Sequence, residues 1–231
     1  MALPEGRARR VGHSFQRELL DRTADGRCRL EGTRLIGVGH RNVQAALAYF
    51  AQRTHRSVIN TNPGIPLDLD GYADDLDRAA AERGVTCELL VGRDAFEASP
   101  GRILLPPSTL LGPTAAHTIL ADDETLIFTG APTPSGRTTG WASRNPALVE
   151  EARRVLSHLQ EAARPAGRRD YAGDRAVRVL RMLGRGHTDR QIAGRLGVSL
   201  RTVSGDVARL QHRVEADSRA ALFAKLASRV V

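Results

Sequence analysis

Lysine is almost missing from this chain of 231 residues: the single one is Lys225, close to the C-terminus. A phosphate-cradling P-loop needs a lysine directly after its glycines, so nucleotide chemistry of that kind is excluded. Cysteine is equally scarce. Cys28 and Cys87 stand far apart and match no metal-ligand spacing, which reads as two thiols in a reducing compartment. No apolar run approaches the ~20 residues of a membrane span, and the N-terminus MALPEGRARRVGHSFQ has no apolar signal core. These absences predict a soluble cytoplasmic protein with no membrane partner, no metal and no cofactor.

The length is enough to bury one good core and suggests two domains. Charge divides them. Residues 164–231 hold 15 Lys/Arg and 6 Asp/Glu, a net of +9, whereas residues 1–163 hold 19 and 20, a net of −1. The whole excess of +8 therefore lies in the last 68 residues. A neutral large domain joined to a basic small one points to a polyanion partner for the small one, or to a solvated basic face.

Along residues 1–30 the chain is polar and weakly patterned, with one short helix expected over SFQRELLDRT. Helix-like and strand-like stretches alternate from there. Residues 42–54 and 71–85 have helical periodicity, the second stopped by Gly84, and 56–62 and 86–92 read as strands. Residues 117–120 and 125–131 are apolar runs joined by the acidic turn Ala121–Asp122–Asp123–Glu124, a hairpin signature. A flexible loop is expected over 132–140, ahead of Trp141. A helix over 145–163 has Pro146 in its first turn. Alternation of this kind predicts an α/β domain over residues 31–163, with 164–173 a basic linker.

The C-terminal residues 174–231 carry a stricter grammar. Ala176, Val179, Leu180 and Leu183 share one helical face, ended by Gly184 and Gly186. Thr188 and Gln191 form a capping box for a second helix, in which Ile192 and Leu196 point inward. Gly197 suits a left-handed turn residue, and Ser199 caps a third helix with a buried stripe of Val203, Val207 and Leu210. Ser218 can cap a last helix carrying Leu222, Phe223, Leu226 and Val230.

The pieces VLRMLGRG, TDRQIAGRLGVS, RTV and DSRAAL resemble the LuxR-type (GerE-like) four-helix DNA-binding domain. The resemblance spans about 50 residues. It implies a transcriptional regulator that docks helix 200–213 in the major groove of double-stranded DNA and dimerises through its last helix. On a helical wheel Arg201, Ser204, Gly205, Ala208, Arg209 and His212 lie opposite the buried stripe. LuxR-type relatives usually carry basic residues at the positions of Ser204 and Ala208 and a histidine at that of Asp206. Many also carry acids where Arg175 and Arg178 stand. The expected device is an ion pair between Asp206 and one of those arginines, with Arg209 as the base reader. Arg185, Arg190, Arg201, Thr202 and Arg213, with the caps Thr188 and Ser199, are the phosphate candidates. Leu222, Phe223, Leu226 and Val230 are the dimerisation candidates.

The large domain resembles, over AAAERGVTCELLVG, HTILADDETLIFTGAP and NPALVEEARRVLSHLQEAARP, the phospholipase-D-like sensor domain of TrmB-like regulators. Catalytic relatives carry His-x-Lys-x-x-x-x-Asp on one strand. With Asp122 at the final Asp, Ala115 stands at the His and His117 at the Lys, so the resemblance implies a degenerate domain without catalysis. Nor does it suit a response-regulator receiver, which also relies on a lysine. A ligand would sit at the carboxyl ends of the strands, where Asn60, Asn62, Arg93 and Thr129 are the candidates.

The expected architecture is thus a degenerate phospholipase-D-like α/β sensor followed by an all-α four-helix domain. The expected function is that of a one-component, homodimeric regulator answering to a small-molecule or protein effector. An alternative is an interaction protein with a decayed DNA-binding domain, antagonising a related regulator; a phosphodiesterase is a third.

Overall fold

Fourteen buried apolar residues, three in 8–19 and eleven in 90–159, form one cluster among the described residues, and that convergence defines the large domain. The computed structural model describes residues 5–65 and 72–227. Helix α1 (Glu5–Arg22) is followed by β1 (Thr33–Val38), α2 (His40–Ala51), β2 (Ser57–Asn62), α3 (Tyr72–Glu82), β3 (Thr86–Gly92) and α4 (Arg93–Ala98). A 3-10 helix, Pro100–Leu104, leads to β4 (Leu110–Gly112), β5 (Thr118–Ala121), β6 (Thr125–Gly130), β7 (Thr139–Ser143), α5 (Pro146–Glu161) and β8 (Arg164–Pro165). The strands form one mixed sheet in the order β1-β7-β6-β5-β2-β3-β4-β8. Among the described residues only β2–β3 and β3–β4 pair in parallel.

The pleat sorts the two faces. Leu90, Leu120, Leu126, Phe128 and Trp141 pack with Phe15 and Leu19 of α1 and with Leu148, Leu156 and Leu159 of α5. Gly140, one residue before Trp141, therefore faces the other way, and there Val43 of α2 lies against it. Val91 and Leu89 likewise join a separate cluster with Phe96 and Leu111. Helix α3 runs beside α2, with the Tyr72 hydroxyl donating to the Gln44 carbonyl at 3.1 Å.

The acidic hairpin forms as its sequence suggests. Asp122 and Asp123 take φ values of 54° and 59°, and β5 pairs antiparallel with β6. Aspartate tolerates this left-handed region better than most side chains. Three other stretches differ from expectation. The loop over 132–140 gives way to strand at Thr139, because β7 is the central partner that joins β1 to β6. The N-terminal segment is an 18-residue helix and not a short one, with Ala8, Gly12, Phe15 and Leu19 buried against the sheet and α5. The linker opens as strand β8, paired with β4, and then continues along the domain surface through Ala166 N–H to the Thr109 carbonyl at 2.8 Å.

Helices α6 (Asp174–Gly184), α7 (Asp189–Leu196), α8 (Leu200–Arg213) and α9 (Arg219–Ala227) form the C-terminal bundle. Its core is continuous with the α/β domain: Leu180, Leu210, Leu222 and Leu226 share one cluster with Ile103 and Leu104 of the 3-10 helix. This corrects the dimerisation set. Leu222 and Leu226 are fully buried inside the chain, and Phe223 packs half-buried against the same cluster. The apolar surplus on α9 is real, but Ile103 and Leu104 consume it. Val230 lies outside the described residues.

Candidate nucleic-acid interface

The setting of α8 comes from three local devices. Thr188 Oγ1 accepts the Gln191 N–H at 3.3 Å while Gln191 Oε1 accepts the Thr188 N–H at 2.9 Å, so α7 begins on a closed capping box. Gly197 turns the chain with φ 65°, a conformation that costs residues with a Cβ, and Val198 N–H reaches back to the Ala193 carbonyl at 3.0 Å. Ser199 Oγ then accepts the Thr202 N–H at 3.1 Å and starts α8. Val179, Ile192, Ala193, Val203 and Val207 fill the space between α6, α7 and α8 and hold them at this angle.

What α8 turns outward follows from that stripe. Arg201, Ser204, Ala208, Arg209 and His212 are exposed, Gly205 and Thr202 half-exposed. Asp206 is on the other side, only 1% exposed. Its carboxylate accepts Arg175 Nε at 2.8 Å and Arg175 Nη2 at 3.2 Å, and Arg209 one turn on also reaches it. Arg178, the second arginine considered for this pair, is not involved. Bidentate guanidinium–carboxylate geometry of this kind fixes both partners.

The phosphate candidates fall into two groups. Arg190, Arg201, Thr188 and Ser199 lie on the exposed starts of α7 and α8, Thr202 half-exposed beside them. Arg185 and Arg213 are instead engaged across the domain boundary. Arg185 Nη2 meets Asp75 of α3 at 2.5 Å, and Arg213 donates to the carbonyls of Tyr171 and Arg169 at 3.0 and 3.3 Å. Arg219 also pairs with Asp189 at 2.6 Å, tying the start of α9 to the start of α7 and holding the Asp189 carboxyl below its ordinary value.

Residues 173–226 match the GerE family, bacterial regulatory proteins of the luxR family. The C-terminal unit is a LuxR-type helix-turn-helix domain. Among solved structures, the chain is similar to NucT from Helicobacter pylori, with 12% identity and a TM-score of 0.47 over 58% of this chain and 98% of that one. It is similar also to TrmBL2, an archaeal chromatin protein, with 15% identity and a TM-score of 0.44 over 66% of this chain and 62% of that one. A third is Nuc from Salmonella typhimurium, a phospholipase D family member, with 11% identity and a TM-score of 0.40 over 59% and 99% of the two chains. No curated protein matches this sequence.

Upstream of the LuxR-type domain, the four ligand candidates stand on β2, on β6 and at the start of α4. Asn60 is mid-strand in β2, opposite Ile119, with its Oδ1 buried and unpartnered. Asn62 Oδ1 closes a local turn to Gly64 N–H at 3.1 Å, and Thr129 is a half-buried residue of β6. The Arg93 guanidinium meets Glu5 of α1 at 3.1 Å. Residue order alone did not show this contact: α1 lies over the segments that follow β3 and β4. A Cβ on Gly12 would already touch the Pro113 carbonyl and Ala115 at 3.5 and 3.8 Å. The stripe Ala8, Gly12, Phe15, Leu19, at helical spacing, was the signal available in sequence.

Of the His-x-Lys-x-x-x-x-Asp positions, Ala115 is buried below α1. Burial pushes the His117 imidazole below its ordinary pKa, which favours the neutral form. Asp122 is an anchor. Burial works against its charge, but backbone N–H groups of His55, Ser57 and Arg56, at 2.7–3.0 Å, and the Arg56 guanidinium outweigh it and hold the carboxyl below its ordinary value.

Proposed function

We propose that this protein is a one-component transcriptional regulator of the cytoplasm. It binds double-stranded DNA through α8 of the LuxR-type domain and is controlled through the α/β domain, which acts as a sensor without catalysis. The observation that carries this reading is the α8 surface itself. Caps and buried stripe turn Arg201, Arg209 and His212 outward, on the segment that holds the chain's whole positive excess. Neutralised phosphates release counterions, so binding should weaken steeply with salt. A mobility shift of the full chain on genomic fragments tests this, and an affinity unchanged between about 50 and 200 mM salt would remove the reading.

Action as a dimer on half-sites about one helical turn apart belongs to the same proposal. The surface joining two copies is then one other than the Leu222–Leu226 face. Sedimentation with and without DNA decides it, and a monomer in both states would sink the dimer. Absence of catalysis is supported by Ala115 beneath α1 and by the missing lysine. Turnover of a chromogenic phosphodiester, lost on substitution of His117, would contradict it.

A second reading, an interaction protein that antagonises a related regulator, is favoured by one observation. The exposed face of α8 has Ser204, Gly205 and Ala208 between Arg201 and Arg209, and Arg209, though exposed, is paired with Asp206. The same mobility shift separates the two, since an antagonist would bind no fragment at low salt.

A further inference from the structure

The outward face of α8 is built from short side chains around one long one. Ser204 and Ala208 are exposed, Gly205 is half-exposed, and Arg209 stands among them with its side chain 62% exposed. A duplex can therefore come close to the helix backbone here, and Arg209 is the group it would meet. The same arginine is tethered. One guanidinium nitrogen, Nη2, donates to Oδ1 of Asp206, three residues earlier.

That acceptor is itself held. Asp206 is only 1% exposed, and Arg175 of α6 occupies both of its oxygens, Oδ2 through Nε and Oδ1 through Nη2. Oδ1 has a further lone pair, and Arg209 takes it. Gly205 completes the arrangement. A Cβ there would stand 3.8 Å from Arg209 Nη1, so the guanidinium lies across the helix surface in the space that a missing side chain leaves. Asp206 engages one N–H donor of Arg209, and the others remain for a ligand. As a contribution to stability an exposed pair of this kind is small. Its effect on recognition is larger. A free arginine gives up rotamer freedom when it reads a base, and one already fixed has less to lose. Guanine presents O6 and N7 side by side in the major groove, and a guanidinium edge matches them with two parallel hydrogen bonds. The other bases offer no such pair of acceptors there.

We propose that Asp206 is a positioning residue for base recognition: through Oδ1 it holds the exposed Arg209 guanidinium as a fixed reader of one guanine. Arg175 fixes the carboxylate, Gly205 gives the guanidinium its place, and Ser204 and Ala208 let the groove approach. The guanine target rests on the proposed function; the tether of Arg209 does not.

A pool of randomised duplexes, selected for binding to the full chain and sequenced, is the test. The parent should enrich one invariant G·C pair. Arg209→Lys keeps the charge and loses the fork, and Asp206→Asn loses the charged anchor; both should lose enrichment at that pair while still binding DNA. Replacing that guanine by 7-deazaguanine, which lacks the N7 acceptor, should weaken the parent about tenfold or more and leave Asp206→Asn nearly unaffected. Val207→Ala loosens the same helix contact without touching either charge, so it should lower melting and keep the guanine. Enrichment by Asp206→Asn as strong as the parent's, or an equal loss in Val207→Ala, would overturn the positioning role. Should Asp206→Asn fail to fold, side-chain NMR of Arg209 in the parent decides. Hindered rotation of its guanidinium is expected, and free rotation overturns the tether. A parent that shifts DNA without preferring any base removes this inference alone. A parent that shifts no DNA removes the regulator and the guanine target with it.

Discussion

Asp206 on α8 and Arg175 on α6 are joined by two hydrogen bonds, Nε–Oδ2 at 2.8 Å and Nη2–Oδ1 at 3.2 Å. The acid is buried and the arginine half-exposed. Charges are thus exchanged between first and third helix relative to the pattern expected of LuxR-type relatives. Asp206 works in the helix–helix contact. Asp206→Ala should lower the melting temperature by about 5 °C, because the guanidinium groups lose their buried acceptor and α6 and α8 lose their tie. Thermal unfolding checks this. Tighter DNA binding with unchanged melting would show instead that Asp206 faces the groove.

Arg209 meets the same carboxylate but is 62% exposed, and exposed i,i+3 pairs contribute little. Arg209→Ala should therefore lower melting by no more than about 3 °C, since such a pair is worth ~0–1 kcal/mol. Its sequence discrimination should fall by about 1–3 kcal/mol, the scale of one arginine–guanine contact. Competition binding between specific and scrambled fragments measures this. Unchanged discrimination would favour the antagonist reading.

The Asp122 anchor predicts a pH dependence. A carboxyl whose folded value is depressed stabilises the fold above its unfolded value, near 4, and loses that contribution as pH falls through the folded value. Asp122→Asn should cost about 1 kcal/mol at pH 7, discounted because the group is partly solvated. The gap from the parent should shrink below about pH 4. Denaturant melts at neutral and acid pH check the sign. A gap that stays constant on acidification would show that the N–H bonds to Asp122 do not depend on its charge.

Leu226 and Leu104 belong to one core although they lie in different domains. Leu226→Ala should cost about 2–5 kcal/mol, the range for a buried leucine, and Leu104→Ala should lower the melting of the helical bundle as well. Calorimetry of the parent should give one cooperative transition. Two separate transitions, with Leu104→Ala affecting only the earlier part of the chain, would contradict a shared core.

Much of the LuxR-type domain was legible because its decisive residues act on near neighbours. Thr188 and Gln191, Gly197, Ser199 and the stripe Val203–Val207–Leu210 each report a cap, a turn or a buried face within four residues of itself. The Asp206–Arg175 pair was within reach too, since two helices of known register leave few partners for an acid beside the stripe. The hairpin over β5 and β6 was readable for the same reason, its turn being only four residues long.

What tertiary structure alone decided is where surfaces distant in sequence meet. Helix α1 announces an apolar stripe, but nothing local says that it covers Ala115 and occupies Arg93 from more than 80 residues away. The leucines of α9 announce a partner, but not that Ile103 and Leu104 supply it in place of a second copy. Arg185 reads as a phosphate ligand until Asp75, 110 residues earlier, is found against it. Hydrophobic burial is non-directional, so a periodic pattern shows that a face will be covered and leaves its partner to shape and charge complementarity in the assembled chain.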